Sequence, residues 1–438
     1  MAEDEGKITS ASLYGNTFLL LVAAMLLWPT SVRAATVTVD CTGGAADHPS
    51  IRNALAALDP AVSNTITILE GPCDDIDEGP RGVIVTGFTN LTIQGLPDDT
   101  ATISRAGGCG TPGPSSIVLT ITDSTIVGLR RLNITGGRGL LVQNSGVRGE
   151  SLTVASSRGS GIVLNDTSVL NLQGSTCHDT NNDGDCGDPG ELLNTLNTVS
   201  DSCSNGISVD GTSSANINFH AVIEDNLGTG VNVSGGRANI NAFFDQLEMP
   251  TTIQIDHNRV GVSVSDGGSV GMGAATGGPS GDSELRIEDN QQWGVIVQGP
   301  SFAGTGGQTI IQGNSLTPTG PLAIAYPAGV LVYYGGSVFL NPETQVIDNG
   351  GAGILAFAQG KVRLGNVGNP TGLVTISGND AEGLNLQLMS LAESFAGTTI
   401  SGNFGAADAV CDGTSVLAGD VSGIATTKCS NIDKGGKK

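Results

Sequence analysis

The sequence predicts an all-β solenoid, in which the chain winds into stacked coils of short parallel strands. The phrase Ile/Val-x-x-Asn, often followed by Gly-Val-x-Val, returns along residues 222–402 at a spacing of about 20 to 35 residues. Each unit holds alternating apolar runs separated by Gly, Asn, Asp or Ser, the pattern of short strands joined by tight turns. With 66 glycines and only 4% aromatic residues, the composition suits many turns around a thin aliphatic core.

The repeated asparagine is predicted to be structural. No single unit can bury its apolar face, so neighbouring units must stack in register, with strands about 4.8 Å apart. The asparagine falls where the chain turns, because Asn tolerates left-handed backbone and its amide bonds nearby backbone groups. We therefore predict a ladder of amides rather than a row of catalytic residues. Its members are Asn226, Asn258, Asn290, Asn314, Asn349, Asn379 and Asn403.

The repeats and the Gly-Gly turns that begin at Gly235, Gly267 and Gly335 resemble the right-handed parallel β-helix proteins of the pectin-lyase-like superfamily. The resemblance implies one elongated β-helix domain, which we place at residues 35–430, and the chain is long enough for about ten coils. It leaves the activity open, because the superfamily includes lyases, hydrolases, esterases, epimerases and adhesins. The sequence contains no Gly-His-Gly or Asn-Thr-Asp of the polygalacturonase type, and no Arg-x-Pro-x-x-Arg of the pectate lyases.

The start of the chain predicts export. An apolar run from Phe18 to Trp28 precedes Val32-Arg-Ala34, which fits a signal peptide over residues 1–34 and is too short for a spanning helix. We therefore expect a secreted or cell-surface protein, extracellular or periplasmic, with no membrane span after cleavage. The acidic residues at positions 3–5 depart from the usual basic start, which keeps an uncleaved anchor or a misassigned start as alternatives.

A capping helix is predicted at the N-terminal end of the solenoid. The apolar residues Ile51, Ala54, Leu55 and Leu58 fall at helical spacing, and Asp47 or Ser50 can serve as the N-cap. The resemblance implies that this helix closes the first coil, which would otherwise present unpaired strand edges.

Eight cysteines in an exported chain predict disulfides. We favour Cys41 with Cys73 and Cys411 with Cys429, because each pair would fasten a terminus of the solenoid. The remaining four cysteines are left without assignment; they are Cys109, Cys177, Cys186 and Cys203.

Residues 174–204 interrupt the repeat and are rich in Asp and Asn. Oxygen-bearing side chains at alternate positions with Gly184 at the sixth resemble a calcium loop, so Ca²⁺ is the predicted cofactor, in a structural role. The twelfth position is Gly190 instead of a carboxylate, and a disulfide-tied acidic loop is the alternative. The predicted ligands are Asp179, Asn181, Asp183, Asp185, Asp188 and Glu191.

Two sets of charged residues are the catalytic candidates. Arg138 and Arg158 occupy equivalent points of successive coils and predict either a groove for an acidic sugar or a solvated ladder in ion pairs. Acidic residues also precede three of the ladder asparagines, as Glu224-Asp225, Asp256-His257 and Glu288-Asp289. Paired carboxylates are what glycoside cleavage requires, although acids at turns also keep a solenoid soluble. His257 and Arg259 make Asp256 the first candidate for a catalytic base.

The net charge of −23 argues against binding to nucleic acid or to an anionic membrane. The leading hypothesis is an exported, non-catalytic β-helix scaffold with a surface for a polysaccharide or cell-surface glycan. The rival is a polysaccharide lyase, glycoside hydrolase or epimerase acting on an acidic polysaccharide, and a surface adhesin is a third possibility. The basic tail at residues 431–438 is predicted to be disordered.

Overall fold

The computed structural model describes residues 34–74, 78–96, 100–109, 116–174, 196–244, 249–316, 325–366, 373–429 and 432–433. The predicted signal peptide, apart from residue 34, and all six predicted calcium ligands lie outside these ranges. In the described residues the chain forms a right-handed parallel β-helix with one α-helix, as the sequence predicts.

Each regular coil has three strand faces, which we call the first, second and third faces. The first face comprises β1 (Ala35–Asp40), β2 (Ser63–Glu70), β4 (Asn90–Gln94), β11 (Val169–Gln173), β14 (Ser214–Asn218), β17 (Arg237–Ala242), β20 (Ser269–Ala274), β23 (Phe302–Gly306), β26 (Ser337–Leu340), β29 (Lys361–Leu364), β32 (Leu391–Ser394), β35 (Val416–Gly419) and β37 (Ile432–Asp433). The second comprises β5 (Ala101–Arg105), β12 (Asn197–Ser200), β15 (Ala221–Glu224), β18 (Thr252–Asp256), β21 (Glu284–Glu288), β24 (Thr309–Gln312), β27 (Thr344–Ile347), β30 (Val374–Ser377) and β33 (Thr398–Ser401). The third comprises β3 (Val83–Thr86), β6 (Leu119–Thr122), β8 (Leu140–Gln143), β10 (Ile162–Asn165), β13 (Ile207–Asp210), β16 (Thr229–Ser234), β19 (Val260–Ser265), β22 (Trp293–Gln298), β25 (Ala328–Tyr333), β28 (Ala352–Phe357), β31 (Leu384–Leu386), β34 (Ala409–Cys411) and β36 (Thr427–Lys428).

Two longer strands join the first two faces. β7 (Ile126–Gly136) and β9 (Gly146–Ala155) run through both without a break, so these faces form one 24-stranded sheet beside the 13-stranded third face. Thirteen third-face strands in the described residues make more coils than the ten or so expected. The expectation came from the length of the chain and was too low because several coils are short: β6, β8 and β10 begin at residues 119, 140 and 162.

The core follows from the alternation within each strand. Ile223, Ile255 and Ile287 are direct partners in successive second-face strands, and all three are fully buried. The residues between them point to solvent, so each strand has one apolar and one outward side. The position of a residue within its strand therefore decides whether it serves the core or the surface.

The asparagine ladder is present at the corner between the second and third faces, and it explains the repeat. The Asn226 side-chain amide donates to Oδ1 of Asn258 at 2.8 Å, and the Asn290 amide donates to Asn314 at 2.9 Å. The glycine of each Gly-Val-x-Val lies against the next asparagine: a Cβ at Gly261 would be 3.0 Å from the Asn290 amide nitrogen and 2.5 Å from the carbonyl oxygen of Gly294. Only glycine leaves room for the ladder at this position.

The helix α1 (Ile51–Ala57) packs against β1, β2 and β3 at the N-terminal end. Ser50 is the N-cap, and its side chain accepts a hydrogen bond from the Asn53 amide at 3.1 Å. The buried carboxylate of Glu78 accepts the amides of Ile51 and Arg52 at 2.7 and 2.9 Å. These bonds satisfy three of the backbone donors that a helix start leaves unpaired.

The described cysteines form three disulfides. Cys41 pairs with Cys73 and Cys411 with Cys429, the two pairs favoured from the sequence. The third joins Cys109 to Cys203, 94 residues apart, which the sequence left unassigned. Disulfides of this kind fit an oxidising, extracytoplasmic compartment.

The insertion and part of the C-terminal tail depart from their predictions. The insertion placed at residues 174–204 ends earlier, because β12 pairs with β9 and β15 as a regular second-face strand and Cys203 lies in the corner that follows it. In the tail expected to be disordered, Ile432–Asp433 pair with β35.

In the part of the chain that the structure describes, no helix is both long enough and apolar enough to traverse a bilayer.

Candidate functional site

The three arginine candidates share one position at the corner between the second and third faces. The backbone amide of Arg158 donates to Gly137, and that of Arg259 donates to Asn226, so each arginine follows the ladder position of its coil. Arg138 and Arg158 are exposed on successive coils, as predicted. Arg259 lies three coils beyond Arg158, about 14 Å along the axis at 4.8 Å per coil. The structure therefore does not bring Arg138 and Arg158 to Asp256.

The acids before the ladder asparagines do come together. Glu224 pairs with Asp256 and Asp256 with Glu288 in the parallel register of β15, β18 and β21. All three are on the outward side of the second face, so their Cα atoms are stacked at the spacing of neighbouring strands, about 4.8 Å. We call these three residues the carboxylate stack. Like charges at such a distance repel unless a cation or a proton lies among them.

Asp256 is the centre of the carboxylate stack. Its side chain is only 6% exposed, whereas that of His257 is 58% exposed. Oδ2 of Asp256 lies 2.9 Å from Nδ1 of His257 and accepts a hydrogen bond from the Gln254 amide at 3.0 Å. Oδ1 is buried and has no hydrogen-bond partner among the described residues. A buried carboxylate with one unsatisfied oxygen is unusual in a folded protein.

Gln254 connects Asp256 to the next coil, where Arg286 lies beside Glu288. The Gln254 amide also donates to Glu288 at 3.1 Å, so it bridges two members of the stack. Arg286 forms ion pairs with Glu284 at 2.7 Å and with Glu288 at 3.5 Å. The sequence drew attention to the acids but to neither Gln254 nor Arg286, because their role depends on which strand residues face outward together.

The surroundings change the proton affinity of two groups. Burial raises the pKa of Glu224, and the charges of Asp256, Asp225 and Asp201 raise it further. The hydrogen bond to Asp256 raises the pKa of His257, and burial opposes this only in part. The site therefore combines an acid that holds its proton more tightly than usual with a histidine that takes up a proton more readily than usual. Both lie beside a buried carboxylate.

A second arrangement of polar side chains lies on the first face. The Asn239 amide donates to Oδ1 of Asn216 at 2.9 Å, and the Asn216 amide donates to Oδ1 of Asn171 at 2.7 Å. The three residues stack in register on β11, β14 and β17, and we call them the outer amide row. The next residue in the same column is Arg148, which is exposed.

A groove of about 530 Å³ lies at the N-terminal end of the outer amide row. Its floor is at Gly146, between the exposed side chains of Ile126 and Val169, and Arg148 and Asn171 lie along it. Because the hydrogen bonds of the row all run in one direction, the amide of Asn171 is its terminal donor and faces the groove. The sequence did not reveal this row, because 45 residues separate Asn171 from Asn216.

No protein-family model and no curated protein sequence matches the chain. Among solved structures, the chain is similar to the A-module of the Azotobacter vinelandii mannuronan C-5 epimerase AlgE6, at 14% identity and a TM-score of 0.36, over 87% of this chain and 92% of that one. It is also similar to the enzymatically active domain of bacteriophage CBA120 tailspike protein 2, at 11% identity and a TM-score of 0.34, over 88% of this chain and 47% of that one. An alginate lyase from Paenibacillus sp. FPU-7 matches at 12% identity and a TM-score of 0.30, over 92% of this chain and 98% of that one. These likenesses concern the fold alone and carry no inference about ligand or reaction.

Proposed function

We propose that the protein is an exported β-helix scaffold that binds a polysaccharide along its first face. The observation that carries the proposal is the outer amide row, which leads into the groove at Gly146. Aligned amides offer both donors and acceptors to sugar hydroxyls. Ile126 and Val169 beside the groove offer apolar surface to the ring faces, and the disulfides fit an extracytoplasmic location.

Replacing Asn216 with leucine is expected to weaken binding about tenfold, since about 1.4 kcal/mol is the scale of one or two lost hydrogen bonds. The substitution keeps the volume but removes the middle of the outer amide row. Binding can be measured by affinity electrophoresis and calorimetry against a panel of neutral, acidic and amino-sugar polymers. Asn232→Leu is the matched control, because Asn232 points outward from the third face. Equal weakening by both variants, or no binding to any polymer, would refute the proposal.

Glycan cleavage at the carboxylate stack is the second candidate function. One observation favours it: acids from three adjacent coils converge around Asp256, whose carboxylate contacts His257. Such groups can donate and accept the protons that breaking a glycosidic bond requires. Arg138 and Arg158, which the sequence assigned to this chemistry, lie on other coils and would not take part.

Under this second candidate, Asp256→Asn is expected to reduce product release at least about a hundredfold, the usual contribution of a positioned proton-transfer group. The assay is the appearance of new reducing or unsaturated ends from each polymer of the panel. Asp380→Asn, at an exposed corner, is the control. If the unmodified protein releases nothing from any polymer, cleavage is eliminated and binding remains.

A further inference from the structure

We infer that the carboxylate stack of the second face is a cation-binding site, and that its cations are the protonated amino groups of an amino-sugar polymer. The inference rests on the proposed polysaccharide binding: the stack lies on the neighbouring second face, in the coils of Asn216 and Asn239 and in the coil that follows, so it would give the polymer a second contact and adds the chemical class of the sugar. It replaces the acidic polysaccharide that the sequence favoured for the rival enzyme.

The surroundings of the carboxylate stack carry an excess of negative charge. Beside the stack, the corner of the same coils carries the carboxylates of Asp225 and Asp289, and Asp201 lies one coil before Asp225. Among the described residues, the cationic side chains around the stack are Arg286, which also pairs with Glu284, Arg259 at the same corner, and His257 when it is protonated. The negative charges therefore outnumber the positive ones. An acidic polymer would be repelled here, and a cationic one would be attracted.

One carboxylate oxygen of the stack lacks a hydrogen-bond partner in the described structure. Oδ1 of Asp256 is buried within the stack without a hydrogen-bond partner in the described structure, while Oδ2 serves His257 and Gln254. A carboxylate that is 94% buried is normally hydrogen-bonded on both oxygens or paired with a cation, because the charge loses hydration. A cation that displaces the exposed ring of His257 would take its place beside Oδ2 of Asp256, on the carboxylate that also carries the unsatisfied Oδ1 and between Glu224 and Glu288.

The carboxylates of the stack recur from coil to coil along the solenoid axis. The stack presents one carboxylate on each of three successive coils, so a polymer lying along the solenoid axis would meet three acids in a row. An ammonium group is a compact charge with three donors, which suits carboxylates arriving from adjacent strands. Burial raises the pKa of Glu224, and the charges of Asp256, Asp225 and Asp201 raise it further, which agrees with an excess of negative charge around the stack.

A divalent metal ion could satisfy the same carboxylates, and the test separates the two sources. The probes are a β-1,4-glucosamine oligomer, its fully N-acetylated form of equal length, and CaCl₂ alone, each titrated calorimetrically at a pH of about 6, where ordinary carboxylates are ionised. The unmodified protein is expected to bind the free-amine oligomer at least about tenfold more tightly than the acetylated one, with a strong loss at high salt.

The variant Glu224→Gln/Glu288→Gln is expected to lose that tenfold preference while keeping its melting temperature and its affinity for the acetylated oligomer. The control is Glu343→Gln/Glu393→Gln, which removes the same charge from exposed positions elsewhere. Equal affinity for the two oligomers, with Asn216→Leu weakening both, would overturn the inference and leave the proposed function intact. Binding of neither oligomer nor any polymer of the panel would overturn the proposed function. Calcium binding that the double variant abolishes, without a preference for the free amine, would assign the site to a metal ion and refute the amino sugar.

Discussion

Replacing Asn290 with alanine is expected to lower the free energy of unfolding by about 3 to 6 kcal/mol, because it leaves several buried polar groups without partners at about 1 to 3 kcal/mol each. The Asn290 amide donates to the carbonyls of Ile255 and Glu288 and to Oδ1 of Asn314. Its own Oδ1 accepts the backbone amide of Asn258 at 3.1 Å. One substitution therefore breaks contacts with the coils on both sides.

The measurement is equilibrium or kinetic unfolding in guanidinium chloride, with the unfolding rate used if refolding is incomplete. Gln291→Ala is the matched control, since Gln291 is the next residue, its side chain is exposed, and its backbone amide still donates to Asn258. A loss below about 1 kcal/mol for Asn290→Ala, similar to that of the control, would show that the ladder does not hold the coils together.

Removing the disulfide between Cys109 and Cys203 by a double serine substitution is expected to cost about 4 to 5 kcal/mol. Its ends are 94 residues apart, and closing a loop of this length removes much of the conformational freedom of the unfolded chain. Thermal and denaturant unfolding without reductant provide the measurement. The effect should vanish when both proteins are compared in reductant.

The disulfide between Cys411 and Cys429 supplies the comparison. It joins residues only 18 apart, so its removal is expected to cost about 3 kcal/mol. A larger loss from this pair than from Cys109 and Cys203 would contradict the loop-length argument. It would show that the C-terminal coils depend on their disulfide as a local fastening.

The asparagine ladder was predictable because every member carries the same local requirement. Asn226, Asn258 and Asn290 each follow a buried second-face strand and precede a Gly-Val-x-Val segment, so the motif repeats visibly along the chain. The outer amide row was not predictable in this way. Asn171, Asn216 and Asn239 stack just as closely, but they are separated by segments of unequal length and share no flanking motif.

The sequence by itself determined the solenoid, its short strands, the corner amides and the acids that precede them, because these depend on short-range alternation and turn chemistry. The tertiary structure decided which charges meet. Arg138 and Arg158 share a corner position with Arg259 but lie on earlier coils, whereas Gln254 and Arg286 reach the carboxylate stack from outward strand positions. The physical reason is that register sets contact between coils, and insertions of variable length hide the register from the linear sequence.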